Sequence, residues 1–218
     1  MILTCGCRLT RPDVLVPVST CAKFCADFSS QHWKAVKQTF KYLKGTQDVG
    51  LELKAMRLHD QRKQLKLSAW VDADYASNLD SRASRVGYFI YLEQCPVAFG
   101  SKLQRGVPAS STGEAEYRAL SIAVKELIWV KMILETLGFE VEEPMKVYED
   151  NQCALKVVKR PGAQKRTKHV DVRHHYIRHL GEAGCIKVVY VSTKKQREDM
   201  LTKNLPRLQL TKWVQAPF

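Results

Sequence analysis

The chain has 218 residues, of which 45% are hydrophobic and 26% charged, which is ordinary for a globular protein. No apolar run approaches the ~18 residues of a membrane span, so we expect no membrane association. The formal net charge of +13 is high for this length and favours a polyanionic partner, most often nucleic acid. The seven cysteines are odd in number and scattered, which indicates reduced thiols in an intracellular protein.

The first 49 residues predict short helices with too little apolar mass for a core of their own. A helical stretch is expected from Arg11 to Phe28, interrupted at Pro17. Ser29 and Ser30 are N-cap candidates for a second helix over 31–44, which Gly45 ends. Its apolar stripe consists of Trp33, Val36, Phe40 and Leu43. These faces should pack on a partner domain, or on a domain that this chain lacks.

From residue 65 the pattern changes to short strands and amphipathic helices. Strands are predicted over 65–72, 86–92, 97–102, 145–148 and 186–191, and helices over 111–138, 151–158, 167–182 and 196–203. Three strands, helix, strand, helices, strand, helix is the order of an α/β fold. It predicts a mixed five-stranded sheet flanked by helices.

The longest predicted helix carries an acid on its buried face. Starting from Glu116, apolar residues recur at steps of four and three: Leu120, Ala123, Leu127, Val130, Leu134 and Leu137. Glu114 points roughly 200° away on the helical wheel, towards solvent. A first-turn acid favoured by the helix dipole explains Glu114 well and Glu116 poorly. Burial of a carboxylate at the start of this face costs free energy unless a cation lies beside it. The position of Glu116 therefore predicts a nearby cation.

Four acids occupy comparable places in the predicted sheet. They are Asp72 at the end of the first strand, Glu116, Asp150 at the end of the fourth strand, and Asp199 in the last helix. Because strand ends and adjacent helix starts converge on one edge of an open sheet, we expect these acids to lie together. Clustered carboxylates favour Mg²⁺ or Mn²⁺, and two such ions are the standard device for phosphodiester hydrolysis. Alternatively, Asp150 is a helix N-cap, Asp72 or Asp74 is a turn former, and Asp199 is a first-turn helix acid.

Five ordered segments resemble the ribonuclease H domain of copia-type LTR-retrotransposon Pol polyproteins. They are WVDADYAS at 70–77, STGEAEYRAL at 111–120, YEDNQ at 148–152, RTKHVDVRHHY at 166–176 and EDMLTK at 198–203. Upstream, TRPD at 10–13, HWKAVK at 32–37 and YLKGT at 42–46 resemble the end of that family's reverse transcriptase. The resemblance covers essentially the whole chain.

This resemblance implies a ribonuclease H-like fold and an endoribonuclease that cuts the RNA strand of RNA–DNA hybrids. It implies two Mg²⁺ ions, replaceable by Mn²⁺, held by the catalytic acids Asp72, Glu116, Asp150 and Asp199. Residues 1–64 are then the helical end of a reverse transcriptase with a basic tether, 65–205 the ribonuclease H domain, and 206–218 a tail. We expect action inside the cell, in the cytoplasm, a virus-like particle or the nucleus.

Two departures from the family limit what we expect of the chain. The fingers and the palm with its paired catalytic aspartates have no counterpart, so no polymerase activity is expected. The missing polymerase portion is instead an expected partner of residues 1–49. Cellular ribonucleases H carry a loop histidine before the last acid, and the stretch between Val191 and Asp199 has none. Slow turnover is therefore expected.

The predicted helix over 167–182 is basic and rich in histidine. The residues expected to hold the phosphates of a duplex, without reading its sequence, are Lys165, Arg166, Lys168, Arg173 and Arg178. One alternative is a solvated charged face. Another is a zinc site on His175 and His179, which are four residues apart but lack the usual glutamate between them.

Two other functions remain open at this level. The first is a catalytically inactive nucleic-acid-binding remnant of a truncated or host-adopted retroelement, against which the presence of all four acids argues mildly. The second is a DNA strand-transfer enzyme on the same fold, which needs a third acid at a different topological place and end-binding modules that the sequence does not show.

Overall fold

The protein is described by a computed structural model over residues 7, 9–51, 53, 64–152, 155, 176–192, 199–205 and 210. The strands are β1 (Gln64–Leu65), β2 (Leu67–Asp74), β3 (Arg85–Leu92), β4 (Cys95–Leu103), β5 (Glu140–Val141), β6 (Met145–Glu149) and β7 (Ile186–Tyr190). The helices are α1 (Leu15–Ala22), α2 (Ser30–Lys44), α3 (Thr112–Thr136), α4 (176–182) and α5 (Asp199–Thr202), with a 3-10 turn over Pro12–Val14.

The central element is a five-stranded sheet in the order β4-β3-β2-β6-β7. The strands β2, β3 and β4 are antiparallel neighbours, whereas β6 runs parallel to β2 and β7 parallel to β6. The predicted mixed five-stranded sheet flanked by helices is therefore confirmed. Two short strands that the sequence pattern does not predict, β1 and β5, form a separate parallel pair of two residues each.

One face of the sheet packs against α3. The alternation in β2 places Leu67, Ala69, Val71 and Ala73 on this face, and all four are buried. Leu120, Ala123 and Leu127 of α3 meet them in the same core. Complete burial of a leucine contributes roughly 1.5–3 kcal/mol, so the predicted α3 stripe anchors the helix on the sheet. The stripe becomes half-buried from Val130 and is exposed at Leu137.

The opposite face of the sheet packs against the N-terminal helices. Val14, Leu15 and Val18 share a core with Phe89 of β3 and with α5. The predicted helical character of this region holds in the described residues. These helices lack a core of their own, as expected, and they use the second face of the sheet.

Two details of this region differ from the prediction. The helix α1 continues through Pro17 and ends at Ala22, six residues before Phe28. Pro17 is the third residue of α1, where a backbone N–H has no intrahelical acceptor, so proline costs the helix no hydrogen bond there.

The helix α2 agrees with its predicted start and end. The Ser29 hydroxyl accepts the His32 N–H, and His32 Nδ1 accepts the Ser29 N–H at 3.0 Å. None of the α2 residues is buried, and Trp33 and Phe40 are about half exposed, at 55% and 50%. Leu43 packs against the core that contains Phe89, whereas the exposed parts of Trp33 and Phe40 are available to contact a partner.

The remaining predicted helices are described in part. Gln152 and Leu155 are helical, as are 176–182 and 199–202, while the other residues of the predicted helices 151–158, 167–182 and 196–203 lie mostly outside the described ranges. Among the residues that the structure describes, we find no helix with the length and apolar character needed to cross a membrane.

A buried ion pair joins the start of the N-terminal region to the end of α2. Arg11 donates two hydrogen bonds to the Asp13 carboxylate, at 2.8 and 3.0 Å, and a third to the Thr46 carbonyl at 2.9 Å. The Tyr42 hydroxyl donates to Asp13 at 2.8 Å. Burial and the Asp13 charge raise the pKa of Tyr42 to about 12, so this hydroxyl stays a donor at neutral pH.

We expect Asp13→Asn to lower the free energy of unfolding by about 3 kcal/mol, because it leaves the Arg11 charge unpaired in a buried place. The Asp13 side chain is only 1% exposed, so water cannot replace the lost acceptor. Urea denaturation measures the change. Asp27→Asn, at an exposed position, serves as the control and should stay within about 0.5 kcal/mol. Equal losses in the two variants would contradict a stabilising role for the ion pair.

Candidate metal centre

The pairing between β2 and β6 ends just before Asp72 and Asp150. Their ladder ends at the pair Trp70–Tyr148, and Asp72 and Asp150 each lie two residues beyond it. Because the strands are parallel, this equal offset places both carboxylates at the same level of the same sheet edge. Past the pair, β2 continues only with β3, where Asp72 lies opposite Gly87. The sheet therefore opens beside the two acids.

The first turn of α3 brings a third acid to this opening. The hydroxyl of Ser111, the N-cap, accepts the Glu114 N–H at 3.2 Å and fixes the start of the helix. Glu116 then lies on the buried face and is only 4% exposed. One carboxylate oxygen from each of Asp72, Glu116 and Asp150 lies within 4.8 Å of the others. We call these three residues the carboxylate group.

The carboxylate group is electrostatically unfavourable without a cation. Burial raises the pKa of Asp72 to about 6, although the nearby Lys203 and Thr202 oppose the shift. Burial, followed by the charges of Glu149 and Asp72, raises the pKa of Glu116 far above its ordinary value. In the described part of the chain, Glu116 Oε2 has no hydrogen-bond partner. A buried oxygen without a donor, beside the oxygens of two other carboxylates, fits a hard divalent cation.

Asp199 lies beside the carboxylate group but is not part of it. Lys203 Nζ donates to Asp199 Oδ1 at 2.5 Å and lies 3.8 Å from Asp72 Oδ2. The Thr202 hydroxyl donates to Asp72 Oδ2 at 2.5 Å. The structure thus brings three of the four predicted acids together and places a lysine next to the fourth. The spacing of four residues between Asp199 and Lys203 is typical of a helical ion pair and is visible in the sequence.

Comparison with known proteins identifies the lineage of the chain. It is 38% identical, over 199 residues, to the retrovirus-related Pol polyprotein from transposon RE2 of Arabidopsis thaliana. The match covers 91% of the chain. The chain belongs to the copia-type retrotransposon Pol family. It spans only 13% of the length of that relative, so we refer to it below as the Pol segment. Models of known protein families give no match.

Two further similarities are one to a protein sequence and one to a solved structure. The Pol segment is 39% identical over 122 residues to secreted RxLR effector protein 161 of Plasmopara viticola, a match that covers 56% of the segment and 81% of that protein. Among solved structures, it aligns with LC11-RNase H1 in complex with an RNA/DNA hybrid, at 18% identity and a TM-score of 0.45. That alignment covers 62% of the segment and 93% of the other chain.

Of the predicted phosphate-binding residues in the Pol segment, only one is described. Arg178 lies on α4, half-buried, and its charge opposes the rise that burial causes in the pKa of Tyr117. Lys165, Arg166, Lys168 and Arg173 lie outside the described residues. Of the alternative zinc pair, His179 is exposed on α4 and His175 also lies outside the described residues.

Two glutamates of the Pol segment have environments that differ from those expected from the sequence. Glu149 is completely buried, and its alternation with the buried Met145 and Val147 could have revealed this. Glu114 was expected to point to solvent, but it is only partly exposed. Its carboxylate accepts the N–H and the hydroxyl of Ser110, at 2.8 and 2.7 Å, and pairs with Arg118 at 2.5 Å. Its role is to fix the helix start.

Proposed function

We propose that the Pol segment is a metal-dependent endoribonuclease that cleaves the RNA strand of RNA–DNA hybrids. The observation that carries the proposal is the carboxylate group, three buried or half-buried acids on three separate elements whose oxygens lie within 4.8 Å. Homology to retrotransposon Pol polyproteins supports it, since an element that copies RNA into DNA must remove RNA from a hybrid. The net charge of +13 suits a duplex of phosphates.

We propose Mg²⁺ as the ion, two per site and replaceable by Mn²⁺, with Asp72, Glu116 and Asp150 as ligands and Asp199 as a fourth. A bound divalent cation supplies the charge that lowers the pKa of a water molecule and stabilises a leaving oxygen. The chain's own groups orient the ligands. The Thr202 hydroxyl fixes Asp72. Lys203 adds a positive charge at the rim, where a phosphate would approach.

A cleavage assay tests this proposal. We expect a hybrid labelled on its RNA strand to be cut internally in Mg²⁺ and left intact in EDTA. Single-stranded RNA and duplex DNA should resist, because recognition needs both a duplex and its 2′-hydroxyls. Failure to cut the hybrid in Mg²⁺ and in Mn²⁺ would contradict the proposal.

The second candidate is an inactive nucleic-acid-binding remnant. The observation that favours it is the Plasmopara viticola relative, a protein of which this match covers 81% and whose name is not that of a polyprotein. A Pol segment that binds hybrid but never cuts it would support this candidate.

The helices α1 and α2 suggest a contact surface for the rest of the protein. A groove of about 720 Å³ between them is lined mainly by apolar side chains, among them Val18, Phe24, Phe28, Trp33 and Val36. Phe28 and Trp33 are more than half exposed. We propose that residues 1–64 are the end of a reverse transcriptase whose remaining part covers this groove, that 65–205 are the ribonuclease H domain, and that 206–218 are a tail. This function requires an intracellular place of action, in the cytoplasm, a virus-like particle or the nucleus.

We expect hybrid binding to weaken steeply with salt, and Arg173→Ala to reduce the log–log slope by about one phosphate contact. The reason is counterion release, to which each phosphate-bound arginine adds. Fluorescence anisotropy in Ca²⁺, across a salt series, measures the slope. Parent and variant slopes that coincide would assign Arg173 to a solvated face.

A further inference from the structure

Glu149 is a buried acid that the proposed chemistry does not use. It is the last residue of β6, directly before Asp150, and its exposed fraction is 0%. Glu116 is one of the acids near it, because the charge of Glu149 contributes to the raised pKa of Glu116. Among the described residues, Glu149 Oε2 has no hydrogen-bond partner. Burial of a carboxyl oxygen without a donor costs stability that an apolar side chain would not cost. The contact that the second oxygen makes therefore indicates what Glu149 does in the fold.

The other oxygen, Glu149 Oε1, accepts the backbone N–H of Asn151 at 3.1 Å. This hydrogen bond closes the turn that follows β6, with Asp150 as the residue between donor and acceptor. On the far side of Glu149, the ladder holds the strand in place, because Glu149 lies opposite Tyr190 of β7 and the Val191 N–H donates to the Glu149 carbonyl at 3.0 Å. The backbone of Asp150 is thus fixed on both sides.

We propose that Glu149 is a positioning residue, whose Oε1 holds the Asn151 N–H and thereby keeps the Asp150 carboxylate in the carboxylate group. The proposal rests on the proposed function, because it assigns Glu149 to the same site. This position requires an acceptor oxygen within hydrogen-bond distance of the Asn151 N–H. Glutamine supplies that oxygen without the charge, whereas leucine fills a similar volume without the oxygen.

The experiment compares Glu149→Gln, Glu149→Leu and a control in the intact chain. We expect Glu149→Leu to lose at least about tenfold in kcat on hybrid, the usual scale for removing a group that orients a metal ligand. Glu149→Gln should stay within about threefold of the parent rate. Met145→Leu, a volume-conserving change on the same buried face of β6, should also retain the parent rate.

Amide hydrogen exchange supplies a readout that does not depend on activity. Exchange of the Asn151 N–H should become at least about tenfold faster in Glu149→Leu and stay unchanged in Glu149→Gln and Met145→Leu, since only the first loses the acceptor. Rapid exchange at Asn151 together with an unchanged melting temperature would separate positioning from general destabilisation.

Two results would overturn the proposal. One is protected exchange at Asn151 in Glu149→Leu. The other is an equal loss of rate in Glu149→Gln and Glu149→Leu, which would mean that the charge and not the acceptor matters. If the parent chain does not cut hybrid at all, the proposed function fails, and the exchange at Asn151 still decides whether Glu149 holds the turn.

Discussion

Glu116→Gln is expected to reduce hybrid cleavage by at least about a thousandfold. The change keeps the shape of the side chain but removes its negative charge. In the proposed site, this charge binds the metal ion together with Asp72 and Asp150. A thousandfold loss corresponds to about 4 kcal/mol of transition-state stabilisation. Single-turnover cleavage at saturating Mg²⁺ is the measurement.

Glu114→Gln is the matched control, because it is the same change in the same first turn of α3. We expect its rate to stay within a few-fold of the parent. Its contacts with Ser110 and Arg118 fix the helix start, so a stability loss of about 1 kcal/mol is expected, and it is measured separately by urea denaturation. If Glu114→Gln were the inactive variant and Glu116→Gln the active one, the assignment of the metal centre would be wrong.

Mg²⁺ is expected to raise the melting temperature of the parent, and the double change Asp72→Asn with Asp150→Asn to abolish that rise. Binding to the folded state alone adds about 2.7 kcal/mol of stability at a hundredfold excess of ion over Kd. Without Mg²⁺ the double variant should melt above the parent, because two carboxylates that repel Glu116 are gone. Calorimetry across a Mg²⁺ titration measures both effects.

A second double variant, Asp48→Asn with Asp80→Asn, removes the same charge from exposed positions and should keep the full response to Mg²⁺. A parent whose melting temperature ignores saturating millimolar Mg²⁺ would argue against a metal site. So would an equal response in the two double variants.

The sequence was sufficient for the parts of the site that follow from periodicity. The stripe from Glu116 to Leu127 separated the buried acid from Glu114, because a helix of 3.6 residues per turn places them on different faces. The predicted strand ends located Asp72 and Asp150 because parallel strands share an edge, although β2 itself continues to Asp74. These two rules depend only on the backbone, so they apply before any side-chain contact is known.

Other features depend on contacts that no periodicity encodes. The position of Asp199 reflects Lys203, whose ammonium pairs with it and also approaches Asp72. The hydrogen bond from the Asn151 N–H to Glu149 Oε1 closes a turn that strand alternation does not reveal. Whether α1 continues through Pro17 depends on where the helix begins, because proline is tolerated in the first turn. The strands β1 and β5 are two residues long, below the length at which alternation is visible.

The most direct measurement of the central claim is anomalous diffraction from a crystal of the chain grown with Mn²⁺. The account predicts an anomalous peak at coordinating distance from carboxylate oxygens of Asp72, Glu116 and Asp150 together, and its loss in a crystal of Glu116→Gln grown in the same way. A Mn²⁺-saturated crystal with no peak at these three residues, or with one that Glu116→Gln leaves unchanged, would contradict the account.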